Sequence, residues 1–373
     1  MKVIVNAARI IVGVLFIFSG LVKANDPLGL SYKMQEFFDV WSRTPFLTGF
    51  MHFLYDYAFA FSVITITLEI IVGIGILLGY RKKFFIWLLL ILIIFFTFLT
   101  GYAALSGKIA TCGCFGDCIP LTSMQSFIKD LVLVVLIFIL YFGQKYITPP
   151  LSTAFNFIIL LFSTLIVIFF QWWVLRYTPL VDCLPFKKGN NILELRKMPA
   201  DAIPDVKDYV FIYSKDGDKK EFSIKELPDS SWEFVSRDDV IIQKGKNNEP
   251  PIKDYSLMSL SDFDSTEAIL NVDTDYYLFY IKDANKHQDR WLGNFTSLYE
   301  HAKTTNTPIY IISPQAKTTN EYFNVKNNFG LTVFSMDATA FKTAARTEPQ
   351  LYLMHGPVVK SKWGWAQMKK AIN

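Results

Sequence analysis

The sequence predicts an all-α membrane bundle of five helices followed by a soluble α/β domain, and three observations predict it. Of its 373 residues, 52% are hydrophobic and 16% aromatic, more than an ordinary soluble chain carries. The long apolar runs lie almost wholly before Cys183, and from Phe186 onward short amphipathic stretches alternate with polar turns. Charge divides at the same place. Residues 186–373 hold 25 basic and 25 acidic side chains, so the whole net charge of +4 belongs to the first part, with its 12 basic and 8 acidic groups. No basic patch points to nucleic acid.

A bilayer core of about 30 Å takes about 20 apolar residues in a helix. Five stretches meet or approach that length: Val3 to Ala24, Tyr55 to Gly79, Phe84 to Leu105, Ser126 to Phe142, and Leu151 to Leu175. The fourth is the shortest, but Thr122, Ser123 and Gln125 after Pro120 spell a capping-box entry to it. The first is read as a retained span rather than a secretory signal, because Arg9 interrupts it and its end lacks a small-x-small cleavage site.

With the N-terminus cytoplasmic, the inner side holds Lys2, Arg9, the Arg81-Lys82-Lys83 run and Lys145 without one acidic residue, a positive-inside pattern. The outer side then receives the loop 25–54, the loop 108–120 and everything after the fifth span. That orientation in a bacterial inner membrane makes the C-terminal part periplasmic, with Trp172 and Trp173 in the interfacial belt. Apolar Tyr32, Met34, Phe37, Phe38 and Trp41 among charged neighbours predict a short helix in the first outer loop. It either lies on the membrane surface or packs over the bundle.

Glu69 falls deep in the second span, where a carboxylate needs a partner or a water-filled cavity. Counted from the inner ends, Arg9 lies roughly 10 Å in and Glu69 roughly 16 Å, so Arg9 is the expected partner, as a structural clamp or as part of a proton site. Lys23, at the outer end of the first span, is expected to snorkel.

Cys112-Gly113-Cys114-Phe115-Gly116-Asp117-Cys118 places three of the four cysteines within seven residues, on the same side as Cys183. On an oxidising side of the membrane all four sulfurs are available for thiol exchange, which needs a thiolate, an accessible disulfide and a resolving cysteine. Gly113 and Gly116 permit tight turns, so Cys114 can pair with Cys118, or Cys112 with Cys118 or Cys183. Three readings stand: redox-active cysteines, purely structural disulfides, and a thiolate metal site. The turn lacks the paired Cys-x-x-Cys knuckles and the histidine that a metal site favours, and no metal is expected.

These residues carry a resemblance. The first span reads Arg9-x-x-x-Gly13-x-x-Phe16-x-x-Ser19-Gly20-x-x-Lys23, the second Glu69-x-x-x-Gly73-x-x-x-Leu77-Leu78-Gly79, and the turn Cys112-Gly113-Cys114-Phe115-Gly116. Over residues 1–145 the chain resembles the DoxX-like membrane proteins, specifically their MauE branch, named for methylamine utilisation. The resemblance implies a four-helix membrane bundle, with Ser19, Gly20, Lys23 and Gly73 as motif positions. It also implies a part in forming disulfides in periplasmic partner proteins, with a quinone as a candidate electron acceptor. The fifth span and the large soluble domain depart from a minimal member and look like the longer DoxX-type proteins of Bacteroidota, which sets methylamine itself aside as the context.

After a fifth helix and linker at 146–185, residues 186–265 read as a β-rich module. Alternation runs from Tyr209 to Lys253, with a hairpin at Lys215-Asp216-Gly217-Asp218 and a strand at Trp232 to Val235. Residues 266–373 then alternate in type: strand 276–281, helix 291–303, strand 308–312, helix 319–328, strand 331–334, helix 338–345, strands 350–354 and 358–362, and a last helix from Trp365. That order resembles a thioredoxin-like fold, with Pro349 where such folds place a cis-proline. The turn 282–289 after the first strand holds no cysteine, so this domain is expected to dock a protein rather than run dithiol chemistry. His287 on that turn is expected to be solvated.

The expected function is a membrane thiol-disulfide relay acting on periplasmic or membrane protein partners through Cys112, Cys114, Cys118 and Cys183. The alternatives are a non-catalytic subunit of an envelope export or assembly complex, and a small-molecule transporter built on Arg9 and Glu69.

Overall fold

A computed structural model describes every residue except Ala110, Thr111, Cys112, Cys114, Asp216, Gly217, Lys244 and Asn373. The chain opens with α1 (Lys2–Ala24), two short helices, α2 (Pro27–Ser42) and α3 (Thr48–Asp56), then α4 (Ala58–Leu78), α5 (Lys82–Ser106), α6 (Ser123–Phe142) and α7 (Thr153–Tyr177). Among the described residues, α1, α4, α5, α6 and α7 are long and apolar enough to cross a membrane. The second span is shorter than the apolar run suggests because Tyr57 interrupts it, leaving α3 as a separate piece.

Local chemistry fixes the ends. Thr122 and Gln125 close a capping box at the start of α6, as the sequence indicates. Asp26 accepts from the Gly29 amide at 2.9 Å and starts α2 with Pro27 in its first turn. Gly79, at φ 62°, ends α4 in the left-handed conformation that suits glycine.

α1 and α4 pack closely through small residues, and a Cβ on Gly73 would stand 2.8 Å from the Gly13 carbonyl oxygen. Backbone cannot yield as a side chain can. Gly73→Ala should therefore destabilise the detergent-solubilised chain by about 1–3 kcal/mol, the usual cost of overpacking. A melting temperature equal to wild type would reject this helix crossing.

Val5, Ala8, Val12 and Phe16 of α1 join α5 and α6 in one core, while Ile10, Val14, Phe18 and Leu21 face outward, as lipid-facing residues do. α7 lies outermost and crosses to α4 with one polar contact, Gln171 donating to Thr67 at 3.0 Å. Of the two placements open for α2, the structure takes packing over the bundle: Leu30, Met34 and Phe37 are buried, the first two in a cluster with Ile66 and Ile70 of α4.

The C-terminal part begins with a single turn, α8 (Ile192–Leu195), followed by β1 (Val206–Lys215), β2 (Asp218–Ser223) and β3 (Glu233–Gln243). These form an antiparallel sheet ordered β2-β1-β3, with Lys215 paired to Asp218; the tip of that predicted hairpin lies outside the described residues. Next come α9 (Thr266–Leu270), β4 (Asp275–Tyr280), α10 (Gln288–Thr305), β5 (Ile309–Ser313) and α11 (Ala316–Asn320), which continues into a π turn to Lys326. β6 (Thr332–Ser335), α12 (Ala338–Ala344), β7 (Gln350–His355), β8 (Val358–Gly364) and a 3-10 segment, Trp365–Ala371, complete the domain.

The second sheet runs β6-β5-β4-β7-β8, with β4, β5 and β6 parallel and β7 and β8 antiparallel to their neighbours. β4 is buried on both faces, as a central strand covered by helices must be. Tyr276, Leu278 and Tyr280 face a core with Phe341 of α12, and Tyr277, Phe279 and Ile281 face Trp291, Phe295 and Leu298 of α10. Phe186, Ile192, Tyr255 and Leu257 belong to the first of these cores, so the chain on either side of the small sheet packs into the α/β domain. The Glu348–Pro349 peptide bond is cis.

Candidate functional site beneath the cysteine turn

The turn 113–118 sits over one end of the bundle. Gly113 and Gly116 adopt φ of 65° and 57°, and the Gly116 amide donates to the Gly113 carbonyl at 3.0 Å, which folds the chain back toward α6. Cys112 and Cys114 lie outside the described residues. Cys118 forms a disulfide with Cys183, Cα atoms 4.8 Å apart, tying this turn to the segment after α7. That pairing corrects the three considered from sequence: a four-residue spacing suggests neighbours, whereas the bundle brings the end of α7 beside the turn.

Both cysteines of the bridge follow an aspartate held by the soluble domain. Arg346, after α12, lies 2.6 Å from Asp117 and 3.0 Å from Asp26, with the Tyr32 ring 5.5 Å away. Lys362 of β8 reaches Asp182 at 2.7 Å, and Asn25 exchanges two hydrogen bonds with the Val181 backbone, at 2.8 and 3.1 Å. Burial works against the Arg346 charge, but Asp26 and Asp117 outweigh it and move its pKa up. Burial raises the Asp26 carboxyl, with Arg346 opposing. The disulfide is thus bracketed by ion pairs into the α/β domain.

Below the turn, inside the bundle, Lys23 Nζ stands 2.5 Å from Glu69 Oε1, with the two side chains 3% and 1% exposed. Ser19 donates to Glu69 Oε2 at 3.1 Å, and Lys23 lies over the Phe96 ring at 4.4 Å. The expected Arg9–Glu69 pair is therefore corrected, and so is the snorkelling of Lys23. Arg9 donates to the carbonyls of Ile76 at 2.8 Å and Leu77, the free end of α4.

The reason lies in side-chain direction. Helical side chains lean toward their own N-terminus. On α1, that tilts Arg9 out toward the bundle's end face and Lys23 into the bundle. On antiparallel α4 it tilts Glu69 toward Lys23. Gly20, packed on Ile70, and Gly73, packed on Gly13, set this register, so the motif positions Ser19, Gly20, Lys23 and Gly73 converge around the pair.

A second carboxylate joins them. Asp130 of α6, 1% exposed, accepts from Thr100 at 2.9 Å and lies 2.7 Å from Lys129, whose amine stands 5.0 Å from the Phe115 ring. A cavity of about 20 Å³ separates the Lys23–Glu69 and Lys129–Asp130 pairs, with Phe115 of the turn in its lining. That is room for about one water and not for a quinone ring, so the bundle interior as described does not fit that acceptor. Neighbouring small cavities place Lys23 and Lys33 beside Gly113, and Gly116 with Asp117 beside Lys23. Three amines thus face the turn. Asp130 carried a legible signal, a carboxylate within a span, whereas Arg346 carried none.

His287 is exposed at the entry to α10 and, with Pro349, lines a separate cleft between the α/β domain and the outer ends of α4 and α7.

Residues 1–143 match the model of the methylamine utilisation protein MauE family, and residues 207–244 match a domain of unknown function, DUF8463. No curated protein and no solved structure matches. The match covers α1 to α6, including the buried Lys23–Glu69 pair and the cysteine turn, and this part of the chain is similar to the MauE family.

Proposed function

We propose that this chain is an accessory thiol-disulfide exchange protein of the bacterial inner membrane, with the cysteine turn and the α/β domain on the periplasmic side. The observation that carries the reading is the Cys118–Cys183 bridge, with Cys112 and Cys114 within six residues of Cys118 in the sequence. The attacking species is a thiolate, and the amines beneath the turn are each paired with a carboxylate, Lys23 with Glu69, Lys33 with Glu36 and Lys129 with Asp130. In the exchange, Cys112 and Cys114, proposed to start the cycle joined as a disulfide, oxidise a client dithiol to its disulfide and become a dithiol themselves. That dithiol then reduces the Cys118–Cys183 bond, so two protons and two electrons move inward together. An external disulfide of a partner protein reoxidises Cys118 and Cys183.

The α/β domain is proposed to be thioredoxin-like, on the strength of its mixed sheet, its flanking helices and cis Pro349. With no cysteine at 282–289, it would hold an extended client near the turn.

A second reading has its own support. Ion pairs on both sides of the bridge suit a permanent staple in a non-catalytic scaffold. Acid trapping with maleimide mass tags on the full chain in cells separates the two. Exchange predicts mixed thiol and disulfide forms, and a client adduct that accumulates in Cys114→Ser. Full and unchanging oxidation of Cys118 and Cys183, with Cys112 and Cys114 replaceable by serine without effect, would sink the exchange reading and leave the staple.

A further inference from the structure

A cleft of about 500 Å³ opens where the α/β domain meets the membrane-facing end of the bundle. Its floor is apolar: Leu28, Phe59, Trp172 and Leu175, all at the ends of helices that cross the membrane or pack on its edge. Phe59 and Trp172 are 42% and 43% exposed, large rings left open near the ends of two apolar helices, where aromatic residues of membrane proteins gather. Its walls carry Arg176, Lys282, Lys286 and Arg290 against only two carboxylates, Asp283 and Glu348.

Only part of this charge is offset internally, by Asp283 and Glu348. Lys286 lies 3.5 Å from Asp283. Among the described residues, neither Arg176 nor Arg290 has a carboxylate within 4.0 Å or a side-chain hydrogen bond. The Arg176 guanidinium is held between two rings, 3.8 Å from the Trp172 centroid and 5.2 Å from Trp365. Stacking fixes its plane and leaves its N–H donors free at the edge, the arrangement in which guanidinium takes a phosphate oxygen.

We propose that this cleft binds the phosphodiester head group of an anionic membrane lipid, with Arg176 and Arg290 on the phosphate and the acyl chains leaving over Phe59 and Trp172. A zwitterionic lipid carries the same phosphate, but its ammonium meets the basic wall and is disfavoured. The site would make domain docking sensitive to lipid composition, and it stands independently of the cysteine chemistry.

Native mass spectrometry of the full chain, released from detergent after incubation with phosphatidylglycerol or phosphatidylcholine, tests this directly. The expected result is one retained phosphatidylglycerol, preferred about tenfold over phosphatidylcholine. Arg176→Gln with Arg290→Gln abolishes the preference, and Arg81→Gln, at the other end of the bundle, keeps it. Lys282→Gln on the facing wall lowers it partially and serves if the double variant fails to fold. Equal retention of both lipids by wild type would overturn the proposal, as would an unchanged preference in a double variant that melts like wild type. Displacement of the lipid by millimolar inorganic phosphate would assign the site to free phosphate and overturn the lipid source.

Discussion

Lys23→Met lowers the stability of the detergent-solubilised chain by about 3–5 kcal/mol, because Glu69 is left charged in the bundle with no cation beside it. Glu69→Gln costs a similar amount by stranding Lys23, whose ammonium pairs with Glu69 and lies over the Phe96 ring. The double variant removes both charges and recovers most of the loss, since a buried pair replaced by uncharged groups of similar volume is often near neutral. Arg9→Gln costs less, about 1–2 kcal/mol, the weight of charge-assisted bonds to helix-end carbonyls at a half-buried site. Thermal unfolding of wild type, Lys23→Met, Glu69→Gln and their double variant forms one double-mutant cycle, and Arg9→Gln alone and combined with Glu69→Gln forms a second. Additive effects for Lys23 and Glu69, with strong coupling between Arg9 and Glu69, would restore the pairing expected from hydropathy alone.

That contrast shows where sequence reading stops. The five spans, the Thr122 capping box and the strands of the α/β domain are local signals: an apolar run of fixed length, a hydroxyl with an amide three residues on, short apolar runs set off by turns; the cis bond at Pro349 was expected only from the resemblance to a thioredoxin-like fold. Glu69 was legible as a residue needing a partner. Its partner was not, because depth counts residues along a helix and ignores the tilt of side chains toward the helix N-terminus, which turns Lys23 inward and Arg9 outward. The Cys118–Cys183 bond was hidden for a related reason. It depends on where α7 ends relative to the 113–118 turn, a property of packing between elements 65 residues apart. Arg346 was hidden altogether, as an ordinary surface-type residue that only docking buries.

Arg346→Ala should undock the α/β domain from the bundle. The substitution leaves Asp26 and Asp117 without their shared cation; Arg346 is buried and Asp117 is 40% exposed, so the cost is about 2–4 kcal/mol, below that of a fully buried cluster. The bridge beside it closes a 65-residue separation, a covalent restraint of about 4 kcal/mol on the unfolded chain. The two restraints are of similar size and adjacent in sequence at Asp117 and Cys118, so loosening one exposes the other. Dithiothreitol should reduce the bridge faster in Arg346→Ala, and amide exchange should rise around Tyr32 and Phe115; Arg346→Lys, which keeps charge but loses the reach of a planar fork, falls between. The defect is also pH-dependent with a defined sign. Burial already holds the Asp26 pKa above its ordinary value, and without Arg346 it moves higher. A carboxyl whose folded pKa is raised opposes folding once pH exceeds its unfolded value of about 4. The deficit of Arg346→Ala relative to wild type is therefore full at neutral pH and shrinks as pH falls toward 4. Reduction of the bridge at the wild-type rate in Arg346→Ala at neutral pH would mean that the covalent tie and Lys362–Asp182 hold the domain without it.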